Sequence, residues 1–439
     1  MKVNFQSLIG TVAGTVPMFI HACCKVRSME IYRSYSDETG LFIKTTDIMF
    51  PNVDKEQILI YDIDTTSFEA ANGCIFLIGV LCLKAGELMF TQYFSESIDE
   101  EAQIIGKFFD EAEDHTILLS YKGESFDIPF IGKRLYALKQ SELYKRFTAI
   151  RSRSVDLAGE IMAVKASVGF SSTKLDYLRG KCGQQVPERI SGENISKFYV
   201  EHIAAAKLRK LLETTCSAAN HDMIGEYHPK PVIDELAHIR PDSGDRFLTD
   251  ILYRNKENIE SVIYLLRLSR IFSMRKGQFN VSIKSETDNA EPYGCLTNNN
   301  DTIFFAYFSD DFELTIPVSI VSVSLRQFYP NYKDYYYFPA EDMAVHMSIA
   351  EFAAAGSKKK ATAKTAYRNV SGRFIGIPSG FAKSESNKDA SFYKTDYESA
   401  EYFLPVDEIS SIRDTEKIKE LAYYLFLEYA SRNLKNILV

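Results

Sequence analysis

The sequence predicts an α/β layer protein joined to a second, α+β domain, and three observations carry that expectation. Apolar, β-branched runs separated by short turns come first, helical periodicity then alternates with single strands, and a proline pair near the middle breaks the pattern. Ile58 to Asp64, Cys74 to Leu83 and Leu88 to Phe94 read as strands, with Gly73 and Lys84-Ala85-Gly86-Glu87 supplying the turns of an antiparallel meander. Asp99 to Ala112 reads as a helix because Ile104, Ile105, Phe108 and Phe109 share one face, and Thr116 to Tyr121 reads as a buried strand. Helices are expected at Ile128 to Leu138, Ser172 to Gly180, Ile195 to Thr214 and Ser217 to Tyr227, with Val155 to Leu157 as a brief strand. Pro229-Lys230-Pro231 cannot continue a helix, which predicts a boundary between Tyr227 and Pro241. Beyond it a helix is expected at Lys256 to Ser273, strands at Gln278 to Lys284, Thr302 to Tyr307 and Glu313 to Val323, and a last helix at Thr415 to Asn436. The expected partition is an N-terminal extension over 1–56, an α/β domain over 57–228 and an α+β accessory domain over 242–439.

With 46% hydrophobic residues among 439, each domain can close a core without disulfides or structural zinc. The seven cysteines include no Cys-x-x-Cys pair, so a reducing cytoplasm is the expected compartment. Leu8 to Cys24 can be read as an export signal or as a plain extension. Gly10, Thr11, Gly14, Thr15, Pro17 and His21, with only Lys2 before them, favour the extension, and the stretch is too short to span a bilayer. The net charge of −8 argues against a molecule coated in positive potential, so a nucleic-acid partner requires a local basic patch. No phosphate-cradling Gly-rich loop and no Gly-x-Gly-x-x-Gly after a strand is present, which argues against motor activity and a nucleotide cofactor.

Chemistry concentrates where the first strand ends, in Tyr61-Asp62-Ile63-Asp64-Thr65-Thr66. Positions two apart on a strand share a face, so Asp62 and Asp64 set two like charges side by side, an expensive arrangement unless a cation compensates them. Hard cations such as Mg²⁺ prefer carboxylate oxygens. A third acid, Asp127, follows the fourth strand in Tyr121-Lys122-Gly123-Glu124-Ser125-Phe126-Asp127-Ile128-Pro129-Phe130, and a fourth, Asp222, lies in Asn220-His221-Asp222. Four such carboxylates can hold two Mg²⁺ or Mn²⁺ ions about 4 Å apart for attack on a phosphodiester. Between Ile131 and Arg153, Lys133, Arg134, Lys139, Lys145, Arg146, Arg151 and Arg153 face a single acid, Glu142, a stretch suited to a nucleic-acid backbone track or to a solvated helix face.

Taken in order, Ile58 to Phe68, the Phe-Asp-Ile-Pro-Phe block, Val155-Asp156-Leu157 and Lys174 to Gly192 resemble the YprB-type ribonuclease H-like family, within the DEDD 3′–5′ exonucleases. The likeness covers about Gln57 to Tyr227, with a weaker similarity of Tyr329 to Ala363 to the C-terminal region of clostridial members. It implies a ribonuclease H-like mixed sheet flanked by helices and a metal-dependent nuclease acting on DNA or RNA. Asp62, Asp64, Asp127 and Asp222 would be metal ligands and catalytic residues. The expected nucleic-acid contacts are Lys133 and Arg134, from the basic stretch, and Lys122. The likeness also exposes departures. Asp64 stands where the family has Glu, Lys122 where it has Asn, and Ala218 where its His-Asn-x-x-Asp pattern has the water-orienting His. His221 points about 100° from Asp222 on a helix, and His228 is a second candidate for that role. The alternative implied by these departures is a catalytically degenerate nucleic-acid-binding or scaffolding protein.

Overall fold

A computed structural model of the chain describes residues 29–185, 194–219, 244–285, 302–309, 312–387, 392–411 and 415–439. They form two units. One is built from the chain up to Ala163, Ser172–Arg267 and Val439, the other from Val164–Ser171 and Leu268–Leu438. Among the described residues no helix is long and apolar enough to cross a membrane.

The first unit is a six-stranded mixed sheet flanked by helices, the ribonuclease H-like arrangement. Its strands are β1 (Glu30–Tyr35), β2 (Ile58–Thr65), β3 (Ile75–Lys84), β4 (Glu87–Phe94), β5 (Ile117–Ser120) and β6 (Ser154–Asp156), in the order β1-β4-β3-β2-β5-β6. β1 to β4 pair antiparallel, whereas β5 runs parallel to β2 and β6 parallel to β5. The helices are α1 (Thr39–Met49), α2 (Glu101–Ala112), α3 (Asp127–Ala137), α4 (Ser141–Arg151), α5 (Leu157–Val164), α6 (Leu175–Lys181), α7 (Ile195–Ala219) and α8 (Gly244–Leu265).

Residues 30–49, expected within an extension, are a strand and a helix of this unit, and β1 pairs with β4 along its whole length. The expected boundary at 227–241 lies outside the described residues. α8 packs on α7 and β2, because its buried Ile251, Ile259, Val262 and Ile263 need apolar cover. Ser217 to Ala219 continue α7, and the rest of the helix expected to Tyr227 is outside the described residues.

Alternation along β2 divides the core. Leu59, Tyr61 and Ile63 join Ile78, Val80 and Cys82 of β3 in one cluster with Ile104, Ile105, Phe108 and Phe109 of α2. Asp62 and Asp64 therefore point to the other face, where α8 lies. Asp62 is registered opposite Gly79 of β3, and the missing side chain there is what lets α8 approach. A Cβ on Gly79 would come within 2.0 Å of Asn255 Oδ1 and 2.6 Å of Ile259 Cδ1.

The strands of the second unit are β7 (Asn280–Ser285), β8 (Thr302–Ser309), β9 (Phe312–Phe328), β10 (Tyr335–Phe338), β11 (Met343–His346), β12 (Lys359–Lys360), β13 (Tyr367–Ile377), β14 (Tyr393–Lys394) and β15 (Tyr402–Pro405), and Thr415–Arg432 forms the principal helix of its C-terminal part. They make a sheet in the order β13-β15-β14-β9-β8-β7 and a three-stranded sheet in the order β11-β10-β12. β13 pairs with β9 as well as β15, which closes β9, β14, β15 and β13 into a ring. The aromatic run from Tyr335 to Phe338 is β10, half-buried throughout.

Gly79→Ala is expected to lower unfolding free energy by about 1–3 kcal/mol, because overpacking pushes α8 off the sheet. Urea denaturation of the wild type and variant checks this, and an unchanged midpoint would mean that α8 yields without cost.

Candidate metal and nucleic-acid site

β2 brings Asp62 and Asp64 to the α8 face, and α3 opens with Asp127, which is 4% exposed. Asp127 Oδ1 accepts a hydrogen bond from the Ile63 amide at 3.1 Å, so the third carboxylate is fastened to the peptide between the other two. α8 covers them with two amides. Asn258 Nδ2 donates to Asp62 Oδ2 at 3.2 Å and Asn255 Nδ2 to the same oxygen at 3.4 Å. Arg254, one turn before Asn258, places a guanidinium whose charge reaches both Asp62 and Asp64, while its Nη1 lies 3.5 Å from Asp176 Oδ1.

The electrostatics are those of a site short of positive charge. Burial pushes Asp62 up to about 6, opposed by the Asn258 hydrogen bond, the Arg254 charge and the Asn255 hydrogen bond. Burial and then the Asp62 charge push Asp64 up to about 8. Burial and then Asp62 hold Asp127 well above the ordinary carboxylate range, against the Ile63 amide. Two buried oxygens here, Asp64 Oδ2 and Asn258 Oδ1, have no hydrogen-bond partner. Unmatched oxygens and like charges are features that a hard divalent cation would satisfy. The three carboxylates are nonetheless spread, since their ligand atoms do not all come within 4.8 Å of one another.

Asp222 and Asn220 to His228 lie outside the described residues, and Ala218 is within α7. Lys122 is exposed at the start of the loop after β5, its backbone left-handed at φ 66° and clamped by Asp156 Oδ1 on its amide at 2.7 Å. Lys133 is exposed on α3. Arg134 is committed elsewhere. Its Nη2 and Nε bond Glu101 at 2.6 and 2.8 Å and its Nη1 the Ala70 carbonyl, because Glu101, with no side-chain exposure, requires a cation. Arg146 likewise pairs with Asp110 and Glu113, Lys145 with Glu142, and Arg153 with the carbonyls of Glu113 and His115. The basic stretch thus spends four of its seven cations on internal partners, leaving Lys133, Lys139 and Arg151 exposed.

Sequence reasoning that looked for acids and histidines passed over α8. Arg254-Asn255-Lys256-Glu257-Asn258 keeps the His-Asn-x-x-Asp spacing with Arg and Asn at its ends, and that spacing was the available signal. Among the described residues, the three His, Cys, Asp or Glu whose ligand atoms do lie within 4.8 Å of one another are Cys82, Glu111 and His115 on the α2 face. They form a possible metal site, although Lys84 already pairs with Glu111 and burial pushes the Cys82 thiol up to about 12.

Residues 59–223 match the model of a family described as the RNase H superfamily. No curated protein matches the chain. Among solved structures it is similar to the family B DNA polymerase from the hyperthermophilic archaeon Pyrobaculum calidifontis, with 14% identity and a TM-score of 0.26. That likeness covers 63% of this chain, which spans about a third (35%) of the polymerase.

The raised carboxylates set a pH dependence for metal-free protein. A folded-state value above the unfolded one contributes stability that is complete below about 4 and is lost as pH rises through about 6 for Asp62 and about 8 for Asp64. The urea midpoint in chelator is therefore expected to fall between pH 5 and 8, and Asp64→Asn to flatten that fall. A midpoint that rises over the same range would contradict the assignment.

Proposed function

We propose that the first unit is a divalent-metal-dependent phosphodiester hydrolase acting on DNA or RNA, a 3′–5′ exonuclease of DEDD type. The observation that supports it is the gathering of Asp62, Asp64 and Asp127 from β2 and α3, with unmatched charge, inside a domain that matches the RNase H superfamily. Asp62, Asp64 and Asp127 would hold Mg²⁺ or Mn²⁺, with Asp222 the expected fourth acid. Such ions acidify bound water and stabilise charge on a transferring phosphoryl group.

The chain's own residues prepare that chemistry. Asp127, tied to the Ile63 amide, keeps its carboxylate in register with β2. The Asn255 and Asn258 amides hold Asp62 as an acceptor and so favour its ionised form against the burial that raises it. Lys122, exposed beside the loop that leads to Asp127, and Lys133, one turn and a half along α3, are exposed cations that would meet phosphates. The protein is read as soluble and cytoplasmic.

A second reading, a ribonuclease H-like nucleic-acid-binding module without turnover, is favoured by one specific observation. Arg254 and Asn258 stand on α8 where a water-orienting histidine and a further carboxylate would be useful, and neither can accept a proton.

Full-length protein incubated with 5′-labelled single-stranded DNA and RNA in Mn²⁺ separates the two. The hydrolase reading expects 3′ shortening that disappears with chelator and falls at least about a hundredfold in Asp62→Asn and Asp127→Asn. Retention of activity in both variants would point to a contaminant. Gel-shift binding with no shortening would establish the second reading.

A further inference from the structure

Resting on the metal-dependent reading above, we infer that the side-chain carbonyl of Asn258 on α8 is a ligand of the divalent cation at the acidic site. Three features of the structure lead there. The first is charge. Asp62, Asp64 and Asp127 repel one another, and the guanidinium whose charge reaches Asp62 and Asp64, that of Arg254, also pairs with Asp176 and Glu257, so the three carboxylates are short of positive charge.

The second feature is the orientation of the two amides. Gln92 Nε2 donates to the Leu252 carbonyl and to Asn255 Oδ1, both at 2.9 Å. The Gln92 end is fixed as a donor by that carbonyl, so the Asn255 oxygen is spent on it and its Nδ2 turns to Asp62. Asn255 has no oxygen left to offer. Asn258 is different: its Nδ2 donates to the Asp62 carboxylate, which fixes the amide the other way round, and its Oδ1 is buried with nothing to accept from.

The third feature is that Asp64 Oδ2 is buried and equally unpartnered. A buried carbonyl and a buried carboxylate oxygen, both without donors and both beside Asp62, cost free energy until a cation satisfies them. Neutral carbonyl oxygens are ordinary ligands of hard cations. Asn258 thus serves the place of a carboxylate at one charge less, and Asn255 serves as the positioning residue that keeps Asp62 aimed.

The test is Mn²⁺ binding to metal-stripped full-length protein, followed by the electron paramagnetic resonance signal of free Mn²⁺, with Asp62→Asn as the blank for surface binding. Mn²⁺ bound beyond the Asp62→Asn blank is expected. Asn258→Ala should weaken it about tenfold and Asn258→Asp, which adds a charge, should tighten it about tenfold. Circular dichroism identifies a variant that fails to fold, and either substitution alone suffices for the decision. Unchanged affinity in Asn258→Ala, or loss of the ion in Asp222→Asn with full retention in Asn258→Ala, would overturn the inference by placing the ligand elsewhere. No site-bound ion would overturn both readings, whereas a bound ion weakened by Asn258→Ala in a protein with no nuclease activity would sustain the inference and remove the hydrolase.

Discussion

Repulsion between two carboxylates on one face of a central strand is the constraint around which the first unit is arranged. Asp62 and Asp64 cannot be separated without breaking β2, because the strand repeat sets their spacing. The surroundings answer in several ways. The chain places an aspartate at the start of α3 and hydrogen-bonds it to the intervening peptide, so the charge is concentrated rather than dispersed. It then lays over the pair a helix that presents the Asn255 and Asn258 amides and the Arg254 guanidinium among its aliphatic side chains. That helix can come close enough because β3 has a glycine opposite Asp62.

The same unit solves the opposite problem on its α2 face by pairing. Glu101 is buried and receives Arg134 in a two-bonded fork, and Asp110 and Glu113 share Arg146. On that face each of these acids has a cation partner; on the other, Asp62 and Asp64 have only the Arg254 charge and Asp127 the Ile63 amide. The contrast between the two faces of one sheet is invisible in the net charge of the chain.

Most of the first unit was legible in the sequence, because β2, β3, β4, α2, β5 and α3 each carry a strong apolar period and turn residues at their ends. β1 was not, since its Glu30–Tyr35 run is polar and lies at a sheet edge, where only pairing to β4 makes it a strand. The acids at Asp62, Asp64 and Asp127 could be picked out because carboxylates at strand ends are conspicuous. Asn255 and Asn258 could not, because an asparagine on a helix is ordinary until the helix is placed over a strand. The basic stretch after Ile131 was conspicuous too, and its meaning was inverted at Arg134 and Arg146, whose partners sit some thirty residues earlier in the chain and are unreadable from local composition.

The parallel pairing of β5 and β6 to β2 has an evolutionary corollary. All three strands deliver their chain to the same rim, so the loop that opens at Lys122, clamped by Asp156 at the end of β6, borders the acidic pair without being part of the sheet that carries it. A lineage can therefore rewrite that rim, lengthening one loop or exchanging one cation, while the strands that hold the carboxylates keep their register. The rim loop and the carboxylate-bearing strands are separate pieces of chain, and selection can act on one without disturbing the other.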